Sequence, residues 1–344
     1  MNKLRMAVVG CGHIGHRHIA MILANPEMEL VAVADVRPAE ECDAPEGVPF
    51  FGGIDELLGS GIATDVVCIC TPNATHPDFA EKVLRHGVNA LVEKPTALHS
   101  EDIDRLRKTE WESSARLFCV FQNRQTPTAT WLYDTVRSGK LGRLTSVVVN
   151  CFWNRDGRYY KPGGWHGDAV ADGGTLFTQY SHFVDLLLWV CGPIDVFAAD
   201  FDDFAHQDLT DFEDSGAFLF RTRRDNAIGS FSYSTVTPVE NYECSLTLIG
   251  TRGSLRMGGP YMSELQHFQV PGMVAPTFPP TPAANDYGGY KGSAANHALV
   301  FQNLADVLLR GAQPVATLDD GAATTQLIER VYSFRRGDYS RKKK

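Results

Sequence analysis

Gly10-Cys11-Gly12-His13-Ile14-Gly15 directly follows the apolar run Leu4–Val9, and Asp35 lies twenty positions past Gly15. Three glycines at this spacing, between a strand and a helix, leave few folds open to the chain. The first permits a tight strand-to-helix turn, the second lets a pyrophosphate approach the backbone, and the third lets the helix pack closely on the strand. The helix start then offers free N–H groups and a partial positive charge to phosphates. In a chain with 31 glycines the spacing alone says little. Here a second strand, Leu30–Ala34, completes the unit and ends at Asp35. The reading is a dinucleotide site contacted by Gly10, Gly12, His13, Ile14, Gly15 and Asp35. A carboxylate at that strand end accepts hydrogen bonds from ribose hydroxyls and repels a 2′-phosphate, so NAD is expected rather than NADP. Arg37, two residues on, is either a solvated loop charge or a guanidinium able to receive that phosphate.

The first third keeps this rhythm. Strands are expected at 4–9, 29–34, 65–70, 88–92 and 116–121, with helices at 13–24, 54–59, 77–86 and 101–111. Nearly continuous apolar strands alternating with helices indicate a parallel sheet covered on both faces. Ligands of such sheets bind beyond the carboxyl ends of the strands. Thr71, Asn73, His76, Glu93, Lys94 and Gln122 lie at or just after such ends and join the expected cofactor site.

After a helix at 127–138 the texture changes. Strands follow at 144–153, 194–204, 213–221, 226–235, 241–249, 253–258 and 263–269, with hairpin turns at Asp225-Asn226 and Thr251-Arg252-Gly253. A helix at 175–190 interrupts them, and helices near 292–310 and 319–335 close the chain. The fold class is therefore an α/β Rossmann domain over 1–124, followed over 125–344 by an α+β domain with a mostly antiparallel open sheet. The second domain is expected to bind substrate and to build a dimer or tetramer, because an open sheet with helices on one face leaves the other face needing cover. The stretch 270–290, rich in Pro, Gly and Ala, reads as a long loop.

Net charge is −9, which argues against nucleic-acid binding, and the basic tail Arg341–Lys344 reads as solvated. No apolar run reaches a membrane span, and no signal-peptide pattern precedes the first strand. None of the eight cysteines has C-x-x-C spacing. They read as small buried hydrophobes in a reducing cytoplasm, and no metal is expected. His13, His16 and His18 read as residues near a cofactor phosphate or at the surface.

Hydride abstraction from an alcohol needs a group to take the hydroxyl proton. Lys94 ends a strand on the cofactor side and precedes Pro95, which fixes the backbone and can hold a cis bond. It is either that group or a surface lysine at a strand end. His182 lies beside the apolar face of the 175–190 helix, with Gln179 one turn earlier and Asp185 three residues on, where it could orient the ring. It is either catalytic or a satisfied core histidine. The loop 154–168 carries Asn154, Arg155, Arg158, Tyr159, Tyr160, Lys161, Trp165 and His166. Cations interleaved with aromatics suit an anionic ligand bearing a ring; the alternative is a surface loop with an ordinary solvated charge run.

Gly10–Gly15, Asp35, Thr71-Pro72-Asn73, Glu93-Lys94-Pro95 and Gly173-Gly174…His182…Asp185 together resemble the Gfo/Idh/MocA oxidoreductases, in the right order over nearly the whole chain. The resemblance implies that Lys94 and His182 flank the substrate carbon and the nicotinamide. Many members carry Asp or Asn four residues before that histidine; this chain has Thr178, so the implied pair acts without a third carboxylate. Gln122-Asn123-Arg124, the Tyr159-Tyr160…Trp165 loop, Gly173–Gln179 and Glu240–Gly250 are similar to the UDP-N-acetylglucosaminuronate 3-dehydrogenases. This implies an NAD-dependent oxidation at C3 of a nucleotide-linked hexuronate in surface-glycan synthesis, with Arg158, Tyr159, Tyr160, Trp165, His166, Gln179 and His182 on the substrate. A dehydrogenase of a free sugar or cyclitol is the alternative enzyme. An NAD(P)-binding regulator on the same fold is the alternative outside enzymes, and it would be expected to lack Lys94 or His182.

Overall fold

The computed structural model describes residues 3–279, 290–292 and 295–335. Residues 280–289 of the expected long loop and the tail Arg341–Lys344 lie outside the described residues. By backbone contacts the chain divides into two compact units. One is Met1–Phe121 with His297–Thr325, and the other is Gln122–Asn296 with Gln326–Lys344. The single boundary expected at 124/125 lies near the observed one at 121/122, while the segment 297–325 returns to the first unit through tertiary contacts alone.

The first unit begins β1 (Leu4–Val9), α1 (His13–Ala24), β2 (Met28–Ala34), β3 (Phe50–Phe51), α2 (Ile54–Gly59) and β4 (Val66–Ile69). It continues α3 (His76–Arg85), β5 (Asn89–Val92), α4 (Ser100–Glu112) and β6 (Leu117–Cys119). The six strands order β3-β2-β1-β4-β5-β6, all parallel. Side chains alternate between the faces of a strand, so one apolar run feeds two cores. Ala7, Val9, Val67, Ile69 and Val92 enter one core; Met6, Val8, Val66, Cys68 and Leu91 enter the other. The returning segment closes both. Val300, Phe301 and Leu304 join the second core, while Ala316, Leu318 and Ala322 join the first.

In the second unit α5 (Pro127–Arg137) starts with Thr126 as N-cap, whose hydroxyl accepts the Ala129 N–H at 3.0 Å. β7 (Leu144–Phe152) leads into the loop that carries the cations and aromatics. The expected helix at 175–190 begins as a π-helical stretch, Leu176–Tyr180, and continues as α6 (Ser181–Cys191). Such stretches widen the helix by one residue and recur at functional sites. Then come β8 (Ile194–Asp202), β9 (Ser215–Thr222), β10 (Ile228–Ser234), β11 (Glu243–Gly250), β12 (Ser254–Gly258) and β13 (Glu264–Gln269). The order is β13-β12-β11-β7-β10-β9-β8, antiparallel except for the β7–β10 pair. α5 and α6 meet where the rings of Tyr133 and Trp189 stack at 4.2 Å. The chain closes with α7 (His297–Arg310) and α8 (Leu318–Tyr332).

Along β7, Val147, Val149 and Cys151 are buried, while Ser146, Val148, Asn150 and Phe152 on the opposite face are half-buried. The register sets Ile228 and Ile249 on either side of Ser146, and both isoleucines are exposed, as are Leu219 and Phe197. No helix among the described residues is long and apolar enough to cross a membrane. All eight cysteines are buried and free.

Candidate functional site

The glycine turn shows why each glycine stands where it does. Gly10 has φ +92°, and an added Cβ would lie 2.6 Å from the Cys70 carbonyl oxygen. A Cβ on Gly15 would lie 1.9 Å from the Gly10 oxygen, so only glycine lets α1 start against the turn. A Cβ on Gly12 would meet nothing within 4 Å, and Gly12 is exposed. Two of the three are required by the protein itself, and the middle one holds open space over the start of α1. No side chain caps that start, and its first turn holds no acidic residue. The open backbone and the positive helix end fit a dinucleotide pyrophosphate. His13 is exposed beside them, and Ile14 is half-buried.

Asp35 is buried at the end of β2, and its two oxygens are well supplied with donors. The Cys11 N–H donates at 2.6 Å, the Arg37 N–H at 2.9 Å, and the Arg37 guanidinium at 3.1 and 3.0 Å. Burial alone would push the Asp35 carboxyl up; these donors outweigh it and hold the group below the ordinary carboxylate range. Arg37 also donates to the Cys11 carbonyl at 3.0 Å, so it is tied to the turn rather than standing as a loose loop charge.

At the neighbouring strand ends, Thr71 pairs its hydroxyl with Thr75 at 2.6 Å, and Asn73 is buried. His76 is buried with one ring nitrogen 2.7 Å from the Pro95 oxygen and the other 2.8 Å from the Thr71 oxygen. Burial pulls its pKa down, against the two carbonyl acceptors, which favour the charged ring. The ring ties the backbone just past β4 to the backbone just past Lys94. Lys94 is half-buried, its N–H reaches Glu93 Oε2 at 3.1 Å, and the Lys94–Pro95 bond is cis.

Glu93 is buried and bonded to His18 Nε2 at 2.8 Å, with His297 Nε2 at 3.7 Å. Burial would raise the Glu93 carboxyl, but the two histidines hold it well below its ordinary value. His18 thus points into the core, not toward phosphate or solvent, and its counterpart His297 arrives on α7, far along the chain from both His18 and Glu93. Neither pairing is visible from helix spacing. These three residues, and separately Cys11, Asp35 and Cys42, bring candidate ligand atoms within 4.8 Å of one another. In each set a carboxylate already has a close hydrogen-bond donor.

In the second unit His182 is buried on the first turn of α6, and its Nε2 lies 3.1 Å from the Gln122 amide nitrogen. Asp185 receives the Arg124 guanidinium at 2.8 and 2.5 Å, both side chains being buried. Asp185, which the sequence offers as a partner for His182, is thus paired with Arg124. Gln179 is buried and accepts the Arg155 Nε–H at 2.6 Å. Arg155 also donates to the Asn154 carbonyl at 2.6 Å and to Asn241 at 3.1 Å, and it lies over the rings of Trp153, Tyr159 and Tyr290. Tyr159 bonds His166 at 3.1 Å, and Trp165 lies against the His166 ring at 3.8 Å. These residues form one cluster around Arg155. Two candidates sit apart from it in character. Arg158 is exposed with its guanidinium on Asp156 and Asn154, and Tyr160 is buried against His206 and Phe212.

Residues 4–121 match a family profile described as an oxidoreductase family with an NAD-binding Rossmann fold, GFO_IDH_MocA. Residues 131–256 match the GFO/IDH/MocA C-terminal domain. Among solved structures, the chain is similar to the WlbA dehydrogenase from Bordetella pertussis in complex with NADH and UDP-GlcNAcA. They are 29% identical, with a TM-score of 0.86 over 97% of this chain and 96% of that one. The inositol 2-dehydrogenase of Rhizobium meliloti (strain 1021) is 26% identical over 261 residues, 73% of this chain and 74% of the relative. The UDP-N-acetylglucosamine 3-dehydrogenase of Acidithiobacillus ferrooxidans is 34% identical over 106 residues, 31% of this chain and 33% of the relative.

Proposed function

The chain belongs to the Gfo/Idh/MocA family of NAD-binding oxidoreductases, and from that premise we propose that it oxidises the C3 hydroxyl of a UDP-linked hexuronate. The observation that carries this reading is the likeness, over almost the whole chain, to a dehydrogenase solved with NADH and UDP-GlcNAcA. The cationic aromatic cluster around Arg155 is the chemistry such a substrate requires.

The turn Gly10–Gly15 and Asp35 would hold NAD, with Thr71, Asn73, His76, Glu93, Lys94 and Gln122 completing the cofactor site. Bound NAD supplies the acceptor for the hydride that leaves the carbinol carbon. The chain's own task is the proton. His182 takes it from the substrate hydroxyl, and Lys94 steadies the negative charge that develops on the same oxygen. With the Gln122 amide nitrogen donating, His182 Nε2 is the unprotonated ring nitrogen, and the substrate hydroxyl would displace Gln122 from it to hand over its proton. On the substrate side the residues are Arg158, Tyr159, Tyr160, Trp165, His166, Gln179 and His182. The exposed face around Ile228 and Ile249 would be covered by a second copy of the chain, giving a dimer or tetramer; a monomer in light scattering at micromolar concentration contradicts that part. Eight free, buried cysteines suit a reducing cytoplasm.

The test is NADH formation on a panel of UDP-GlcNAcA, UDP-GlcNAc, glucose and myo-inositol. The reading expects UDP-GlcNAcA to have the highest kcat/KM. A cyclitol reading draws on the inositol 2-dehydrogenase relative and expects myo-inositol to lead instead.

A further inference from the structure

Two arginines of the second unit are buried, and only one has a counter-ion. Arg124 is matched by the Asp185 carboxylate through two hydrogen bonds. Arg155 is only 2% exposed, yet among the described residues no Asp or Glu pairs with it. Its partners are neutral: the Gln179 amide oxygen, the Asn154 carbonyl and the Asn241 amide oxygen. Three ring faces add attraction, with centroids 4.8 Å (Trp153), 5.4 Å (Tyr159) and 5.4 Å (Tyr290) from the guanidinium carbon. A buried cation held only by dipoles and ring faces still lacks a compensating negative charge.

Two donors in this cluster are unused. Arg155 Nη2 donates to nothing among the described residues. The Gln179 amide nitrogen is buried without a partner, and its orientation is fixed because Gln179 Oε1 already accepts from Arg155 Nε. A buried donor left unpaired loses its hydrogen bond to water and gains none in return. We propose that Arg155 and Gln179 together receive the carboxylate of a sugar acid. This rests on the hexuronate reading above and assigns its carboxylate to a specific pair. Two planar donor groups joined at 2.6 Å match the two oxygens of one carboxylate, and a single negative charge balances the single positive one. A diphosphate brings about two charges and suits a larger set of cations. Arg158, exposed and paired with Asp156, has its charge already met.

The test compares binding of UDP-GlcNAcA and UDP-GlcNAc to the full chain loaded with NADH, since these two differ only in the carboxylate. Arg155→Gln is expected to weaken the acid by about 30-fold and the neutral sugar by less than about threefold. Arg223→Ala, which removes an exposed guanidinium paired with Asp195 and assigned to no site, is expected to change either by less than about twofold. Gln179→Glu supplies an internal counter-ion to Arg155. It should raise the Tm and weaken the acid alone, and it stands in for Arg155→Gln if that variant does not fold. Equal losses for acid and neutral sugar, or none, overturn the proposal. If wild type binds neither nucleotide sugar, the hexuronate reading fails by itself. The pair is then judged by thermal shift with free glucuronate against glucose: no selective stabilisation by glucuronate overturns the proposal too.

Discussion

The two units build their chemistry from different materials. In the first, the features that fit a dinucleotide pyrophosphate and ribose are mostly backbone: a glycine turn, a helix start and one carboxylate, all inside residues 10–35. In the second, it is side chains gathered from afar, with Arg155 meeting Gln179 and Asn241 across 24 and 86 positions. Backbone chemistry leaves a fixed spacing in the sequence, because only glycine tolerates φ +92° or a neighbour at 1.9 Å. Side-chain chemistry leaves residue types without saying which will meet.

Replacing one catalytic candidate from each unit tests the contrast most severely. Lys94→Ala and His182→Ala are each expected to lower kcat by about 10²-fold or more, the usual size of acid–base effects. NAD affinity should stay near wild type in His182→Ala. A His182→Ala enzyme turning over within a few-fold of wild type, with substrate binding intact, would make this histidine a packing residue.

The glycines allow a sharper comparison within the first unit. Gly15→Ala forces Cβ into the Gly10 carbonyl and should cost about 1–3 kcal/mol of stability or more, with a lowered Tm. Gly12→Ala meets no atom within 4 Å, so Tm should hold while NAD affinity falls about tenfold. Equal NAD affinity in Gly12→Ala and wild type, measured by calorimetry, would mean that no phosphate sits over that residue.

The second unit also carries a pH dependence of its own. Glu213 is fully buried and accepts hydrogen bonds from Tyr332 at 2.5 Å and Tyr233 at 3.2 Å. Tyr332 in turn accepts the Leu176 N–H, so Glu213 anchors the stretch leading to His182. Burial pushes the Glu213 carboxyl up to about 7 from 4.5. A raised carboxyl favours folding fully below its unfolded value, and that contribution is lost as pH rises toward 7. Glu213→Gln should therefore gain on wild type between pH 5 and 8, by on the order of 3 kcal/mol. Denaturation curves that keep a constant offset across that range would contradict it.

The sequence was legible where periodicity or spacing carried the information. Strand alternation placed every strand but β3 within a residue or two at most ends, β3 being two residues long and held only by its pairing with β2, and the E-K-P motif and the glycine turn stood out. The π-helical start before α6 was not legible, because 175–190 is apolar enough to read as one regular helix. The return of 297–325 to the first unit, and with it the His18–Glu93–His297 cluster, depends on tertiary contacts alone. Arg155 was visible among the loop cations but indistinguishable from Arg158. What separates them is burial and the presence of Asp156 beside only one.

The hydride itself tests the central claim most directly. UDP-GlcNAcA carrying deuterium at C3 is incubated with the enzyme and NAD, and the reduced cofactor is weighed by mass spectrometry. The account predicts NADH one mass unit heavier than from unlabelled substrate. Unlabelled NADH formed at a normal rate, or no NADH at all, would contradict oxidation at C3 of this sugar.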